Sequence, residues 1–343
     1  MAGISKTLLA AAAALAASLA AVAEDARGLL ERMEHALATR NYQGTFVHEH
    51  DGQTETMKIV HRAENGDFAE RVVSLDGSRR EAVQRDGELR AYFPDQRVVL
   101  VEGGPKGGLL LSGLTGLDSA SEQIYRMSEE TPTRVSGRET RVIAVEPQDN
   151  LRYGYRVWID EATAMPLKTE SHTVAGKVVE QLVFTELSLP SQIADSALQP
   201  APATRQYRLL RHTDATGAAL NPGGGGDTTW DASELPAGFR LIGHSTQILA
   251  DSQKSVTHLV FSDGLASVSV FVEPRSPVPA AQGAAPAAPR MTNMGSSTAL
   301  STELNGHKVT TIGEVPPDCV RAITRSLRVG FAPGPRAMPG GRP

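Results

Sequence analysis

Cysteine is all but missing from this chain: Cys319 stands alone in 343 residues. That excludes an intramolecular disulfide and any Cys-based metal cluster, so each domain has to be stable from its own core. The bland reading of Cys319 is a small apolar core residue. A basic excess is missing too, since 34 Lys and Arg face 39 Asp and Glu. With no basic stripe to neutralise phosphates, nucleic acid is excluded as a partner. After the N-terminal region no apolar run approaches transmembrane length, and no Cys follows that region to carry a lipid. Internal repeats and coiled-coil heptads are absent, which argues against a scaffold. Catalytic signatures are lacking as well. There is no Gly-x-Ser-x-Gly elbow, and neither Gly223–Gly226 nor Gly103–Gly108 leads into the Gly-Lys-Ser/Thr of a phosphate loop. No cofactor, no metal and no enzymatic activity are expected.

The N-terminus has the parts of a secretory signal. Lys6 is the only charge before Glu24, an apolar run extends from Leu8 to Leu19, and Ala21-Val22-Ala23 is a small-x-small cleavage pattern. Cleavage is expected after Ala23, giving an exported mature chain that starts at Glu24. From Asp25 to Ala38, Leu29, Leu30, Met33 and Leu37 recur at helical spacing. The period then becomes two. Strand patterns cover Tyr42 to His50, Thr54 to His61, Phe68 to Leu75, Arg79 to Gln84, Leu89 to Phe93 and Arg97 to Val101, separated by Asp-Gly and Pro-Asp turns. A Leu- and Gly-rich stretch and a short helix over Ala120 to Met127 interrupt the pattern. Strands resume at Arg134 to Val145, Tyr153 to Ile159, Leu167 to Thr173 and Val178 to Leu187. The fold class is mainly β with helices (α+β): one long antiparallel meander bent into a half-open barrel, covered by the N-terminal helix.

That domain spans residues 24–190, and a Pro-containing linker is expected over 191–205. A smaller α+β domain follows over 206–329, with strands at Gln206 to His212, Phe239 to Ala250, Ser255 to Asp263, Ala266 to Val272 and Lys308 to Gly313, and a helix over Pro317 to Leu327. Disordered insertions are expected at 221–227 and 275–294, and a disordered tail at 330–343.

Two features invite a functional reading. Alternation puts His48 and His50 on one strand face, where they could share a metal. They need a third ligand, for which His61 across the hairpin is the near candidate. Polar alternation on a solvated face accounts for the same residues. The second feature is the stretch Leu109, Leu110, Leu111, Leu114 and Leu117 among glycines, an apolar and pliable segment beside a curved sheet. It is either ordinary core or a lid over an apolar concavity. Burying ten methylenes of an acyl chain is worth about 8 kcal/mol before ordering costs.

Asn41 to Val47 (Asn-Tyr-Gln-Gly-Thr-Phe-Val), Glu70 to Gly77, Arg156 to Asp160 (Arg-Val-Trp-Ile-Asp) and Pro166-Leu-Lys168 resemble the MucB/RseB family of periplasmic sigma-E regulators. So do Trp230 and Leu235 to Phe239 (Leu-Pro-Ala-Gly-Phe) in the second domain. The resemblance implies a large domain similar to the lipoprotein carriers LolA and LolB, an unclosed β-barrel with helices on its concave face. It also implies the periplasm as the compartment and a partner, the periplasmic domain of a RseA/MucA-type anti-sigma factor, which such proteins shield from the site-one protease. Acylated lipoprotein or lipopolysaccharide is the implied releasing ligand. Leu29, Leu30, Met33, Leu110, Leu111 and Leu114 are the candidate lipid lining, although core packing accounts for each one singly. Trp230 and Phe239 are the candidate partner contacts, with a structural role as the alternative for the Trp. A homodimer stays open. The competing reading is a periplasmic lipoprotein carrier, for which the second domain has no evident use.

Overall fold

The computed structural model describes residues 26–64, 66–104, 108–110, 121–201, 207–211, 228–249, 254–274 and 288–331. Residues 1–25, where the secretory signal is expected, lie outside them, as do Leu111, Leu114, Leu117, residues 221–227 and most of 275–289. The chain divides into two compact units: Met1–Asp214 with Met294–Ser296, and Ala215–Asn293 with Ser297–Pro343.

The first unit begins with helix α1, residues 26–39. Leu29, Leu30, Met33, Ala36 and Leu37 are all buried, at positions three and four apart, so the apolar stripe read from the sequence is the packed face. Arg27 on the opposite side pairs with Glu31 one turn on.

Eleven strands follow: β1 (Tyr42–His50), β2 (Gln53–Glu64), β3 (Asp67–Ser74), β4 (Glu81–Arg85), β5 (Glu88–Phe93), β6 (Val98–Gly103), β7 (Tyr125–Val135), β8 (Arg138–Pro147), β9 (Gly154–Asp160), β10 (Pro166–His172) and β11 (Val178–Ser188). With β12 (Arg208–Arg211) they form one sheet in the order β12-β6-β5-β4-β3-β2-β1-β11-β10-β9-β8-β7. The order ends in β12 on one side and β7 on the other, so the mainly β, half-open architecture is as expected. The single meander is not. β1 pairs with β11, so two meanders, β1–β6 and β7–β11, are joined along their first and last strands. Period-two patterning fixes which residues form strands but not which strands become neighbours.

The register puts Tyr42, Gly44 and Phe46 on one face with Ile59 and His61 of β2 and Phe184 of β11. Gly44 is required there. A Cβ at that position would lie 2.4 Å from the Glu186 carbonyl oxygen and 2.9 Å from the Phe184 ring.

Four local expectations change. Residues 134–145 are not one strand. Ser136 (φ 49°) and Gly137 (φ 80°) form a tight hairpin turn between β7 and β8. The helix expected over Ala120 to Met127 is only a 3-10 turn at Ser121–Gln123, because β7 pairing takes over at Tyr125. The strand expected to open the second domain instead runs parallel to β6, with Leu209 opposite Val99. The linker is packed rather than free. Arg62 reaches the Ile193 carbonyl at 3.1 Å and the Asp195 carboxylate at 2.6 Å, and Leu198 is buried against Val60 and Ala69.

The second unit holds a sheet in the order β14-β15-β16-β19-β18-β17: β14 (Arg240–Leu249), β15 (Lys254–Ser262), β16 (Ser267–Pro274), β17 (Arg290–Met294), β18 (Ser297–Leu304) and β19 (His307–Gly313). β13 (Thr228–Ala232) pairs with β20 (Leu327–Phe331) as a separate ribbon. Helix α2 (Pro317–Ser326) packs on β18 and β19, and its Thr324 hydroxyl donates to Thr311 Oγ1 at 2.8 Å. Val268, Val270, Val309, Cys319 and Ile323 are wholly buried, so Cys319 is the core residue the bland reading describes. Arg290–Met294, expected within a disordered insertion, instead form β17 and pair with β18. Gly330 and Phe331, expected in a disordered tail, instead pair with β13.

Candidate functional site

Of the proposed lipid lining, Leu29, Leu30 and Met33 lie on the packed face of α1 at 5%, 3% and 0% exposure, and Leu110 is half-buried. Leu111 and Leu114 are outside the described residues. The topology gives the Leu-rich stretch its significance. Leaving β6 near one end of the sheet, the chain re-enters at β7, the opposite edge, so the connection containing Leu109 to Leu117 links the two ends of an unclosed sheet.

A buried polar row fixes where this connection starts. Tyr42 on β1, His61 on β2, Glu70 on β3 and Gln84 on β4 are direct cross-strand partners, and all four are buried. Glu70 is the hub. Its Oε2 accepts from the Tyr42 hydroxyl at 3.2 Å and is bonded to His61 Nδ1 at 2.9 Å, while its Oε1 accepts the Leu109 amide at 2.7 Å. Burial, reinforced by the Glu70 carboxylate, holds the Tyr42 phenol well above its usual range, so Tyr42 stays a donor. The His61 ring stacks on Tyr42 with centroids 4.5 Å apart and on Phe68 at 5.2 Å. Its Nε2 is buried and without a hydrogen-bond partner among the described residues. A carboxylate at 0% exposure is tolerable only with such donors around it, and one of them is the backbone of the Leu-rich connection. This hub has a trace in the sequence: in β3 a lone Glu sits between Phe68 and Val72 on the apolar face of the alternation.

His48 and His50 do share a strand face, on which both are half-buried. They continue the row of Tyr42, Gly44 and Phe46. His61 is not their third companion, because it stands opposite Tyr42 at the far end of the β1–β2 pair and is committed to Glu70. Glu55 and Glu180 stand beside them instead.

In the second unit Trp230 and Phe239 are buried, at 5% and 6% exposure. The Trp230 ring meets His307 edge-on at 5.3 Å, and the Phe239 amide closes a turn onto the Pro236 carbonyl at 3.0 Å. Both support the unit from within. The exposed apolar side chains nearby in sequence are Leu241 and Ile242, on the edge strand β14.

No described helix is long and apolar enough to cross a membrane. Residues 25–202 match the MucB/RseB N-terminal domain and residues 225–328 the MucB/RseB C-terminal domain. Among curated relatives, the sigma factor AlgU regulatory protein MucB of Pseudomonas aeruginosa is 31% identical over 311 residues, covering 89% of this chain and 92% of that protein. The sigma-E factor regulatory protein RseB of Escherichia coli (strain K12) is 25% identical over 306 residues, with 89% and 91% covered. Among solved structures, the MucA/MucB complex of P. aeruginosa aligns over 90% of this chain and 100% of the matched chain, at 29% identity and a TM-score of 0.68. A crystal structure of MucB with MucA(peri) gives 28% identity, the same coverage and a TM-score of 0.67. With both domains matched in order and nearly the full length aligned, the chain belongs to the MucB/RseB family.

Proposed function

We propose that this protein is an exported regulator without catalytic activity. It holds the periplasmic part of a membrane anti-sigma factor, shields it from the site-one protease and so restrains the sigma-E envelope stress response. The observation that carries the reading is the alignment, across both units, with a MucB chain solved in complex with MucA(peri). Release comes from acyl chains of mislocalised lipoprotein or of lipopolysaccharide entering the large unit beneath α1 and the Leu-rich connection. The unclosed sheet, and a connection tied at Leu109 to a buried carboxylate, support that placement. A ligand relieves inhibition only by binding the free form better than the complexed form, and the coupling is reciprocal.

The test is to titrate the mature chain against the periplasmic segment of its anti-sigma factor while following cleavage by the site-one protease. Protection at stoichiometric protein is the expected result. No binding, with acylated lipoprotein still captured, would turn the assignment to a lipoprotein carrier. Aspartate at Leu110 and Leu114 should abolish lipid capture and leave protection intact; unchanged capture would remove the lipid site from this position.

A further inference from the structure

At the end of β1 remote from Tyr42, two imidazoles and two carboxylates converge from three adjacent strands. His48 and His50 are two residues apart on β1, with ring centroids 4.8 Å apart. Glu55 of β2 stands opposite His48, and Glu180 of β11 opposite His50. His48 Nε2 is in hydrogen-bond contact with Glu180 Oε1, and His50 Nε2 is 4.0 Å from Glu55 Oε2. One ligand atom each from His48, His50 and Glu55 lies within 4.8 Å of the others.

We propose that His48, His50 and Glu55, with Glu180 as a fourth ligand, form a zinc site that bridges β2, β1 and β11. Four ligand atoms around tetrahedral zinc at about 2.0–2.1 Å sit about 3.3 Å from one another. The widest separation among the first three has to close by about 1.5 Å at most, which side-chain rotation supplies. Two imidazoles with carboxylates and no thiolate suit zinc and the later first-row divalent ions rather than calcium or magnesium. The four side chains are 21–32% exposed, open enough for an ion to enter yet shielded enough to hold it. Two carboxylates balance the dication, and Glu180 is poised for this. Glu180 Oε1 already lies in hydrogen-bond contact with His48 Nε2, which brings the second carboxylate to the imidazole pair. The competing cation on the page is Arg80, which pairs with Glu55. It orients that carboxylate while weakening the site, so its removal should tighten metal binding.

The experiment uses tag-free mature protein, zinc competition against a chromophoric chelator, and cobalt substitution to read the coordination geometry. One equivalent of zinc should bind, with cobalt giving the intense d–d bands of a tetrahedral site. His48→Gln or His50→Gln should each weaken binding about tenfold or more, and Arg80→Ala should strengthen it. Zinc should also raise the melting temperature of the wild type and not of the variants. Circular dichroism establishes that each variant folds. Should a histidine variant fail to fold, Glu55→Gln is read instead. Absence of saturable binding overturns the site, and so does binding that survives these substitutions unchanged.

Discussion

Replacing Glu70 with Ala tests whether the buried row holds the large unit together. The substitution leaves the Tyr42 hydroxyl, His61 Nδ1 and the Leu109 amide facing a cavity at a site where Glu70 has no exposure. A net hydrogen bond to a charged group is worth about 1.5–3 kcal/mol, and breaking a buried charged cluster costs about 3–5 kcal/mol because the bonds are not additive. We take about 4 kcal/mol. At a urea m-value of about 2 kcal/mol/M, the unfolding midpoint falls by about 2 M. The two tryptophans make the assay specific, since Trp158 lies on β9 of the large unit and Trp230 on β13 of the small one. In a Trp230→Phe background, Trp158 fluorescence reports the large unit alone. Glu70→Gln, which returns one acceptor and adds a mismatched donor, should fall between wild type and Ala. The same substitution frees the start of the Leu-rich connection, so amide exchange at Leu109 should accelerate beyond the global loss. A midpoint within about 0.25 M of wild type, with Leu109 exchange unchanged, would refute the role assigned to this carboxylate.

Gly44→Ala drives a methyl group into the Glu186 carbonyl and the Phe184 ring, so the β1–β11 pairing has to shift. A loss of about 3 kcal/mol is expected in the same Trp158 unfolding assay, at the upper end for overpacking because backbone is struck. Acid should weaken the large unit through Glu180. Its folded pKa lies below the ordinary glutamate value of 4.5, so its contribution is fully present above that value and is lost as pH falls through the lower folded one. In urea titrations across pH 3 to 6 without added metal, Glu180→Gln should flatten the acid limb; an identical acid limb would contradict the shift.

Much of the fold is legible in the sequence because it is local. Tyr42 to His50 alternates over the whole of β1, Asp51-Gly52 closes the hairpin, and Leu29, Leu30, Met33 and Leu37 mark the packed face of α1. What is not legible depends on partners far away along the chain. Nothing in Gln43 to His50 says that β11 rather than a sequential neighbour lies beside it, and nothing in Arg208–Arg211 announces a parallel seat against β6. The sites divide the same way. Pairing His48 with His50 follows from period two, whereas choosing Glu55 over His61 requires the register. By residue type Trp230 reads either as a partner anchor or as a buried structural residue; the structure places it at 5% exposure, edge-on to His307. Glu70 was open to detection, since a lone acid on an apolar strand face is costly unless donors meet it.

The junction between the two meanders also sets an order of events in time. Thr185 Oγ1 donates to the Thr45 carbonyl across 140 positions of sequence, while most other neighbouring strands of the sheet are joined by short turns. The hairpins on either side can zip locally and early; β1 and β11 can meet only after both halves exist, because closing so long a loop is slow. Until then each half exposes an unpaired edge, β1 on one and β11 on the other. A newly made chain is therefore most open to aggregation, or to capture by a folding helper, through the two strands that later become the middle of its sheet.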